Sequence, residues 1–276
     1  MKVIVAKDAG ICFGVRRALD LVTREAEKGE PLATFGPLIH NPQVVHDLET
    51  RGVQVVRSVD EANGGLVMPS HGATRDIWDA AEQAGLRILD ATCPFVAKVH
   101  ERVHALSDKG YFVVVVGDAG HSEVKAIVSA AGHKAAVVSS VEDAGGIDWS
   151  DKKVGIVSQT TQTPERFGEV VGFIASRANE LISYNTICYA THNRQKAARE
   201  LASSVDAMVV VGGRNSANTN RLAEICVETG VPTFHIETAS EIPVDQLAGM
   251  KTIGLTAGAS TPEWIIDDVK TRLETL

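Results

Sequence analysis

Three equal separations between a cysteine and a polar loop residue constrain this chain more than any other feature of its sequence. His40, His121 and Ser216 each stand 28 positions after a cysteine, at positions 12, 93 and 188 respectively. Between each cysteine and the polar residue the order is the same: a helix pattern, a strand pattern and a loop. Internal similarity at a long period indicates three alike structural units, each too small to be complete alone.

The order continues through a second polar loop in each unit. The second loops centre on His71, Thr160 and Ser260, at the ends of further apolar strand patterns. Consecutive β-loop-α units favour parallel sheets, whose ligand-binding loops lie beyond the carboxyl ends of the strands. We therefore predict an α/β fold of three similar small units with mainly parallel sheets, in a pseudo-threefold arrangement round a central pocket. The predicted units are residues 1–93, 94–188 and 189–276. The predicted loop-bearing strands are 32–35, 65–68, 111–116, 154–157, 207–211 and 252–255.

Three of the four cysteines lie at corners where a strand pattern gives way to a helix pattern. At Cys12, Cys93 and Cys188 the helix dipole favours the thiolate, the form that binds metals or attacks electrophiles. One such cysteine taken alone favours a small buried residue at a turn, but the threefold recurrence favours a shared functional role. Cys226 lies on an apolar helix face, which predicts core packing.

Three converging thiolates would leave one coordination position open on a metal centre. A zinc ion with three cysteines and one water satisfies this ligand set. A 4Fe-4S cluster with three protein thiolates and one unique iron satisfies it equally well. The spacing of the cysteines does not distinguish between them.

The polar loop residues indicate an anionic ligand. Histidines, hydroxyls and an amide at strand ends that lead into helix N-termini supply donors for a phosphate or diphosphate. These residues are His40, His71, His121, Thr160, Ser216, Asn218 and Ser260. The alternative for each histidine singly is an ordinary turn residue. The other histidines, at 46, 100, 104, 133 and 235, fall on helix or strand patterns and are predicted to be structural or exposed.

Glu123 lies two residues after His121 and is the one carboxylate at that position of the three first loops. A carboxyl group beside an anion site can deliver protons to a reacting group. The alternative is an acidic residue stabilised by the dipole of the helix that it begins.

The charge balance limits the partners. A net charge of -8 and a pI near 5.6 argue against nucleic acid or an anionic membrane as a general partner. The apolar start of the chain is too short for a signal peptide, and no apolar run is long enough to cross a bilayer. We expect a cytoplasmic protein, and a monomer, because one chain can complete the site.

Several motifs together resemble the family of 4-hydroxy-3-methylbut-2-enyl diphosphate reductases, which act last in the non-mevalonate isoprenoid pathway. The resemblance runs from end to end of the chain. It rests on Gly10-Ile11-Cys12-Phe13-Gly14-Val15, Gly36-Pro37-Leu38-Ile39-His40-Asn41-Pro42, Ser70-His71-Gly72, Asp90-Ala91-Thr92-Cys93-Pro94, Gln159-Thr160-Thr161, Ile187-Cys188-Tyr189-Ala190-Thr191, Asn218-Thr219-Asn220-Arg221-Leu222 and Thr256-Ala257-Gly258-Ala259-Ser260.

The resemblance implies one oxygen-sensitive 4Fe-4S cluster, held by Cys12, Cys93 and Cys188 in the middle of a three-lobed α/β fold. It implies reductive removal of the substrate's allylic hydroxyl, giving isopentenyl and dimethylallyl diphosphates. It also implies diphosphate binding by His40, His71, His121, Ser216, Asn218 and Ser260. Thr160 and Glu123 would act at the hydroxyl end of the substrate, with His121 as a further catalytic residue.

No flavin or nicotinamide fingerprint is present, so electrons are expected from a partner such as ferredoxin or flavodoxin. Three positions depart from the family pattern: Ala217, Ser122 and His192 stand where serine, proline and threonine or serine are usual. Two alternatives remain from the residues alone. One is a zinc-dependent hydrolase of a phosphorylated substrate that uses the same cysteines, and the other is a cluster- or phosphate-sensing protein without turnover.

Overall fold

Across the part of the chain that the structure describes, twelve short parallel strands alternate with helices. The computed structural model describes residues 1–132 and 134–276, so the prediction for His133 lies outside the described residues. The strands are β1 (Lys2–Val5), β2 (Leu32–Phe35), β3 (Val53–Val56), β4 (Gly65–Met68), β5 (Arg87–Asp90), β6 (Phe112–Val116), β7 (Ala135–Val138), β8 (Lys153–Ser158), β9 (Glu180–Ser183), β10 (Ala207–Val211), β11 (Thr233–Ile236) and β12 (Thr252–Ala257). The helices are α1 (Phe13–Ala26), α2 (Pro42–Thr50), α3 (Arg75–Gln83), α4 (Pro94–Asp108), α5 (Ser122–Ala130), α6 (Val141–Gly145), α7 (Pro164–Ala175), α8 (Tyr189–Ala202), α9 (Ala217–Glu228), α10 (Val244–Leu247) and α11 (Glu263–Glu274).

The strands form three four-stranded sheets that share one strand order. The orders are β3-β2-β4-β5, β7-β6-β8-β9 and β11-β10-β12-β1, and every pairing is parallel. The predicted α/β class with three similar parallel sheets is therefore confirmed. The predicted loop-bearing strands agree with the observed ones to within two residues at each end.

The N-terminal strand completes the last sheet. β1 pairs with β12 from Lys2 opposite Thr252 to Val5 opposite Leu255. Sequence order did not predict this pairing, because it put the strand before Cys12 at the head of the first unit. As a result each cysteine of the repeat follows the fourth strand of a sheet: β1, β5 or β9. The division into residues 1–93, 94–188 and 189–276 stays a prediction.

The central strands are buried because helices cover both faces of a parallel sheet. Val113 to Val116 in β6 and Ala207 to Val211 in β10 are completely buried. Full burial of a valine side chain contributes about 1.5 to 3 kcal/mol by transfer from water, so these runs dominate the cores. β9 was not predicted, since its four residues are only half-buried or exposed and give no clear apolar pattern.

The described residues form two compact units. One contains Met1–Arg16, Ile39–His46 and Tyr189–Leu276, and it includes the sheet with β1. The other contains Arg17–Leu38 and Asp47–Cys188, and it includes the other two sheets. Within these residues, no helix has the length and apolar character needed to span a membrane.

Candidate active site

Each cysteine of the repeat is tied through its backbone to the second polar loop of the same sheet. The amide of Cys12 donates to the carbonyl of Ala259 at 3.1 Å, beside Ser260. The amide of Cys93 donates to Ser70 at 2.9 Å, beside His71, and the amide of Cys188 donates to Thr160 at 2.9 Å. The three cysteines therefore occupy one repeated structural position, as their spacing predicted.

The same three cysteines immediately precede helices. Helices α1, α4 and α8 begin at the next residue in each case, so the thiols lie at helix N-termini. All three side chains are half-buried. Pro94 occupies the first turn of α4, where no backbone donor is needed. Cys226 differs: it is completely buried in the core, as predicted, and burial raises the pKa of its thiol to about 12.

In the compact unit that contains Asp47–Cys188, Glu123 and Thr160 form a buried hydrogen-bonded pair. The Thr160 amide donates to Oε1 of Glu123 at 2.6 Å, and the Thr160 hydroxyl donates to Oε2 at 2.8 Å. Only 3% of Glu123 is exposed. Burial raises the pKa of Glu123 to about 7, against the opposing effect of the two bonds from Thr160. Because the Cys188 amide also donates to Thr160, one residue connects the carboxyl group to a cysteine corner.

His121 caps the helix that carries Glu123. Its Nδ1 accepts a hydrogen bond from the Glu123 amide at 3.1 Å. Burial, followed by the positive charge of Lys125, lowers the pKa of His121 to about 4. At neutral pH the ring is therefore uncharged, and with Nδ1 accepting, the proton resides on Nε2 as a donor. The ring of His71 lies edge-on to it, with centroids 6.4 Å apart.

In the compact unit that contains Tyr189–Leu276, Ser216 and Ser260 lie in the loops that follow β10 and β12, and Asn218 lies in the first turn of α9. His40, in the same unit, lies in the loop that follows β2. Ser216 caps α9 through a bond from the Thr219 amide, and the Ser260 hydroxyl donates to the carbonyl of His40 at 3.1 Å. Asn218 is 4% exposed, and neither atom of its side-chain amide has a hydrogen-bond partner in the part of the chain that the structure describes. An amide buried in this way is suited to a ligand that supplies the missing bonds.

Gly212 shows why the first loop of this sheet requires a glycine. Its φ is +145°, and an added Cβ would lie 2.5 Å from the hydroxyl of Thr261 and 2.8 Å from that of Thr219. His235 reinforces the turn, with Nε2 2.8 Å from the Gly212 carbonyl oxygen. This contact agrees with the structural role predicted for His235.

The three departures from the family pattern lie at helix starts. Ser122 and Ala217 are the first residues of α5 and α9. His192 is exposed in the first turn of α8. Nothing in the structure explains the histidine at position 192.

Sequence reasoning missed several residues that support the site. Gln159 is completely buried, and its Oε1 accepts from the Asp118 amide at 3.0 Å, which joins the two loops of one sheet. Arg194 donates to the carbonyl of Gly10 at 2.7 Å, and Arg17 donates to that of Thr92 at 3.1 Å. The available signal was weak: basic residues after each cysteine predicted only the character of the helices.

The residues that would hold a metal group are chemically suited to iron and sulfur. The donor set is three thiols in one repeated setting at helix N-termini, and protein thiolates hold iron-sulfur clusters. Over residues 1–132 and 134–276, no three His, Cys, Asp or Glu side chains form a group that could hold a metal ion.

Comparison with known proteins gives matches along the whole chain. The model of the LytB protein family matches residues 3–274. The 4-hydroxy-3-methylbut-2-enyl diphosphate reductase of Trichlorobacter lovleyi is 50% identical over 275 residues, covering 99% of this chain and 98% of the relative. The enzyme of the same name from Citrifermentans bemidjiense is 50% identical over 278 residues, with coverage of 100% and 98%.

Two solved structures are also similar. That of (E)-4-hydroxy-3-methyl-but-2-enyl diphosphate reductase, the terminal enzyme of the non-mevalonate pathway, is 42% identical with a TM-score of 0.70 over 100% of both chains. That of the Plasmodium falciparum E-1-hydroxy-2-methyl-but-2-enyl-4-diphosphate reductase is 28% identical with a TM-score of 0.92, over 100% of this chain and 87% of the other. With a family model that spans residues 3–274 and relatives that are half identical over almost their full lengths, the chain belongs to the LytB protein family.

Proposed function

We propose that this chain is an oxidoreductase that converts 4-hydroxy-3-methylbut-2-enyl diphosphate into isopentenyl and dimethylallyl diphosphates, the last step of the non-mevalonate pathway. Membership of the LytB family and the names of the relatives support this reaction. The single observation that carries it in the molecule is the bonded series Glu123, Thr160 and Cys188. These hydrogen bonds connect the Glu123 carboxyl group, which can donate a proton, to the backbone of Cys188. The zinc-hydrolase alternative is not supported by the comparisons.

Cys12, Cys93 and Cys188 would hold one 4Fe-4S cluster per chain, for which their thiol donor set is suitable. When bound, such a cluster supplies Lewis acidity and one-electron transfers. The overall reaction breaks the allylic C–OH bond, forms a C–H bond, and consumes two electrons and two protons, so that the oxygen leaves as water. The electrons come one at a time from an external donor such as ferredoxin or flavodoxin.

Glu123 supplies a proton to the leaving hydroxyl. Because its pKa is raised to about 7, a substantial fraction of the carboxyl groups is protonated at neutral pH. The Thr160 hydroxyl donates to Oε2 and so orients the carboxyl. Its oxygen would accept a hydrogen bond from the substrate hydroxyl. His121 fixes the start of the same helix and offers its Nε2 proton as a donor.

The diphosphate is bound by hydrogen-bond donors at and near helix N-termini. His121 and Ser216 are N-caps of α5 and α9, and the dipole of a helix N-terminus favours an anion. The proposed diphosphate ligands are His40, His71, His121, Ser216, Asn218 and Ser260, while Thr160 binds the hydroxyl end of the substrate. The unbonded, buried amide of Asn218 supports this assignment most directly.

The proposal extends to the setting in which the enzyme works. Thiolate ligands to iron require a reducing compartment, so the proposed location is the cytoplasm. One chain supplies all the proposed ligands, which supports a monomer. The three-unit division at residues 93 and 188 follows the repeat of cysteine corners.

The test is anaerobic purification followed by iron and sulfide analysis and turnover. We expect a brown protein with about four irons and four sulfides per chain. With dithionite and a viologen mediator it should convert the allylic diphosphate over many turnovers. A colourless protein with a single zinc, or stable binding of the diphosphate without product, would refute the reductase. Cys93→Ser should lose iron and turnover, whereas Cys226→Ala should keep both.

A further inference from the structure

Each helix that follows a cysteine of the repeat carries an arginine. That arginine contacts the segment that precedes a different cysteine of the repeat. Arg17 in α1 donates to the carbonyl of Thr92 at 3.1 Å and to that of Asp90 at 3.4 Å, just before Cys93. In α8, Arg194 donates to the carbonyl of Gly10 at 2.7 Å, two residues before Cys12.

The third contact is of a different kind. The guanidinium carbon of Arg102 in α4 lies 4.8 Å from the ring centroid of Tyr184, four residues before Cys188. A cation–π contact at an exposed site is weaker than a hydrogen bond from a guanidinium to a carbonyl. All three cysteine corners are thus contacted by an arginine, but with unequal strength.

Arg194 makes the firmest of these contacts. Its side chain is 3% exposed, and it also donates to the carbonyl of Ala190 at 3.2 Å within its own helix. The backbone that it holds has little freedom: Gly10 has a φ of +93°, and an added Cβ would lie 2.9 Å from Ile266. A planar guanidinium can bind two carbonyls in a fixed geometry, which the single ammonium of a lysine cannot reproduce.

We infer that Arg194 and Arg17 are positioning residues, which hold the loops of Cys12 and Cys93 in the ligating conformation before a cluster is bound, with Arg102 making a smaller contribution at Cys188. The inference rests on the proposed function for the role of the cysteines. Its physical basis is preorganisation, since a loop that is already ordered loses less conformational entropy when it binds.

The experiment compares wild type with Arg194→Met, Arg194→Lys and Arg17→Met, and uses Arg199→Met as the matched control. Arg199 lies on the same helix, is about half exposed and pairs with Glu228 at 3.6 Å. Hydrogen exchange of the cluster-free protein is measured over residues 9–12 and 90–93. Iron loss to a chelator and the electron paramagnetic resonance spectrum are measured on the loaded protein.

We expect amides 9–12 to exchange roughly tenfold faster or more in Arg194→Met, the size of one lost charge-assisted hydrogen bond. Arg194→Lys should lie between this variant and wild type, and Arg199→Met should match wild type. In Arg194→Met, iron should be lost faster than from wild type and the electron paramagnetic resonance spectrum should change. Neither change should occur in Arg199→Met. Arg17 is exposed, so Arg17→Met should fold and show the corresponding change over residues 90–93.

Unchanged exchange and iron retention in Arg194→Met would overturn the inference for Cys12. If that variant does not fold, unchanged exchange at residues 90–93 and unchanged iron retention in Arg17→Met overturn it. A failure of the proposed function is distinguishable, because then wild type itself holds no iron-sulfur cluster, while the exchange measurement on the metal-free chain still reports on the loops.

Discussion

Glu123 and Asn218 occupy the same place in two sheets, yet their surroundings differ. Each lies two residues after the N-cap of the helix that follows a first polar loop, and they are 3% and 4% exposed. Both carboxyl oxygens of Glu123 accept hydrogen bonds from Thr160. Neither amide atom of Asn218 has a partner among the residues that the structure describes. One fold position thus holds a satisfied titratable group in one repeat and an unsatisfied neutral group in another.

The difference assigns the two positions to different tasks. A buried polar group without a hydrogen bond costs about 1 to 3 kcal/mol, which a ligand can relieve by bonding to it. The cost at Glu123 is instead desolvation of charge, which appears as a raised pKa and keeps a proton available near neutral pH. Asn218 is therefore suited to binding, and Glu123 to proton transfer.

The largest expected effect is on turnover in Glu123→Gln. Glutamine keeps the shape of the side chain but carries no titratable proton, so kcat should fall about 10² to 10⁴-fold with little change in KM. Steady-state kinetics with a viologen donor measures both constants. Glu165→Gln is the control, because Glu165 is an exposed acid in the first turn of α7. Full turnover in Glu123→Gln would remove the proton-transfer role.

Asn218→Ala should affect KM rather than kcat. A hydrogen bond to a charged ligand is worth about 1.5 to 3 kcal/mol, so KM should rise roughly 10- to 100-fold. The ligand-free variant should be no less stable than wild type, because no hydrogen bond to a described residue is lost. A fall in kcat with an unchanged KM would contradict the difference between the two positions.

Asn220→Ala provides the control on the same helix. The Asn220 side chain donates to the carbonyl of Arg214 at 2.9 Å. Its loss should lower the free energy of unfolding by about 1 kcal/mol and leave KM unchanged. Thermal unfolding of both variants, beside their kinetics, separates a binding amide from a structural one.

The sequence was informative where local pattern decides the structure. Apolar runs such as Val113 to Val116 identify buried strands. The 28-residue spacing predicts that the three cysteines are structurally equivalent, and each of them donates its backbone amide to the second polar loop of its sheet. It did not predict the partner of β1, because the pairing of Lys2 with Thr252 joins opposite ends of the chain and leaves no local trace.

The chemistry within the site was harder to predict. Glu123 and Thr160 were both identified as loop residues, but the approach of two Thr160 donors to one carboxyl group depends on loop geometry. The arginine contacts with Gly10 and Thr92 depend on the direction of long side chains, which helix periodicity does not specify. Periodicity reports which face of a helix is buried, and not what its polar side chains reach.

The pH dependence of kcat should follow Glu123 and not Asn218. Since the pKa of Glu123 is raised to about 7, its protonated form is lost as pH rises through that value. Turnover should then fall about tenfold per unit at higher pH. Thr160→Val removes the side-chain bond that lowers this pKa, so the falling limb should move to higher pH. Asn218→Ala should leave the limb in place, and a limb that moves equally in both variants would contradict the assignment.

The stability of the metal-free protein should also depend on the protonation of Glu123. Between 4.5 and about 7, folded Glu123 binds more protons than it does in the unfolded chain, so the free energy of unfolding falls as pH rises. His121 acts oppositely between about 4 and 6.5, because the unfolded chain binds the extra proton there. The His121 effect is common to wild type and Glu123→Gln and cancels in their difference. Glu123→Gln should therefore gain stability relative to wild type from pH 5 to pH 8, by on the order of 3 kcal/mol at most. Thermal unfolding across this range measures the gain.

An Asn218→Asp variant sharpens the comparison, because it introduces a buried carboxyl group without the Thr160 bonds. The free energy of unfolding of this variant should fall as pH rises over the same range, and more steeply than that of wild type.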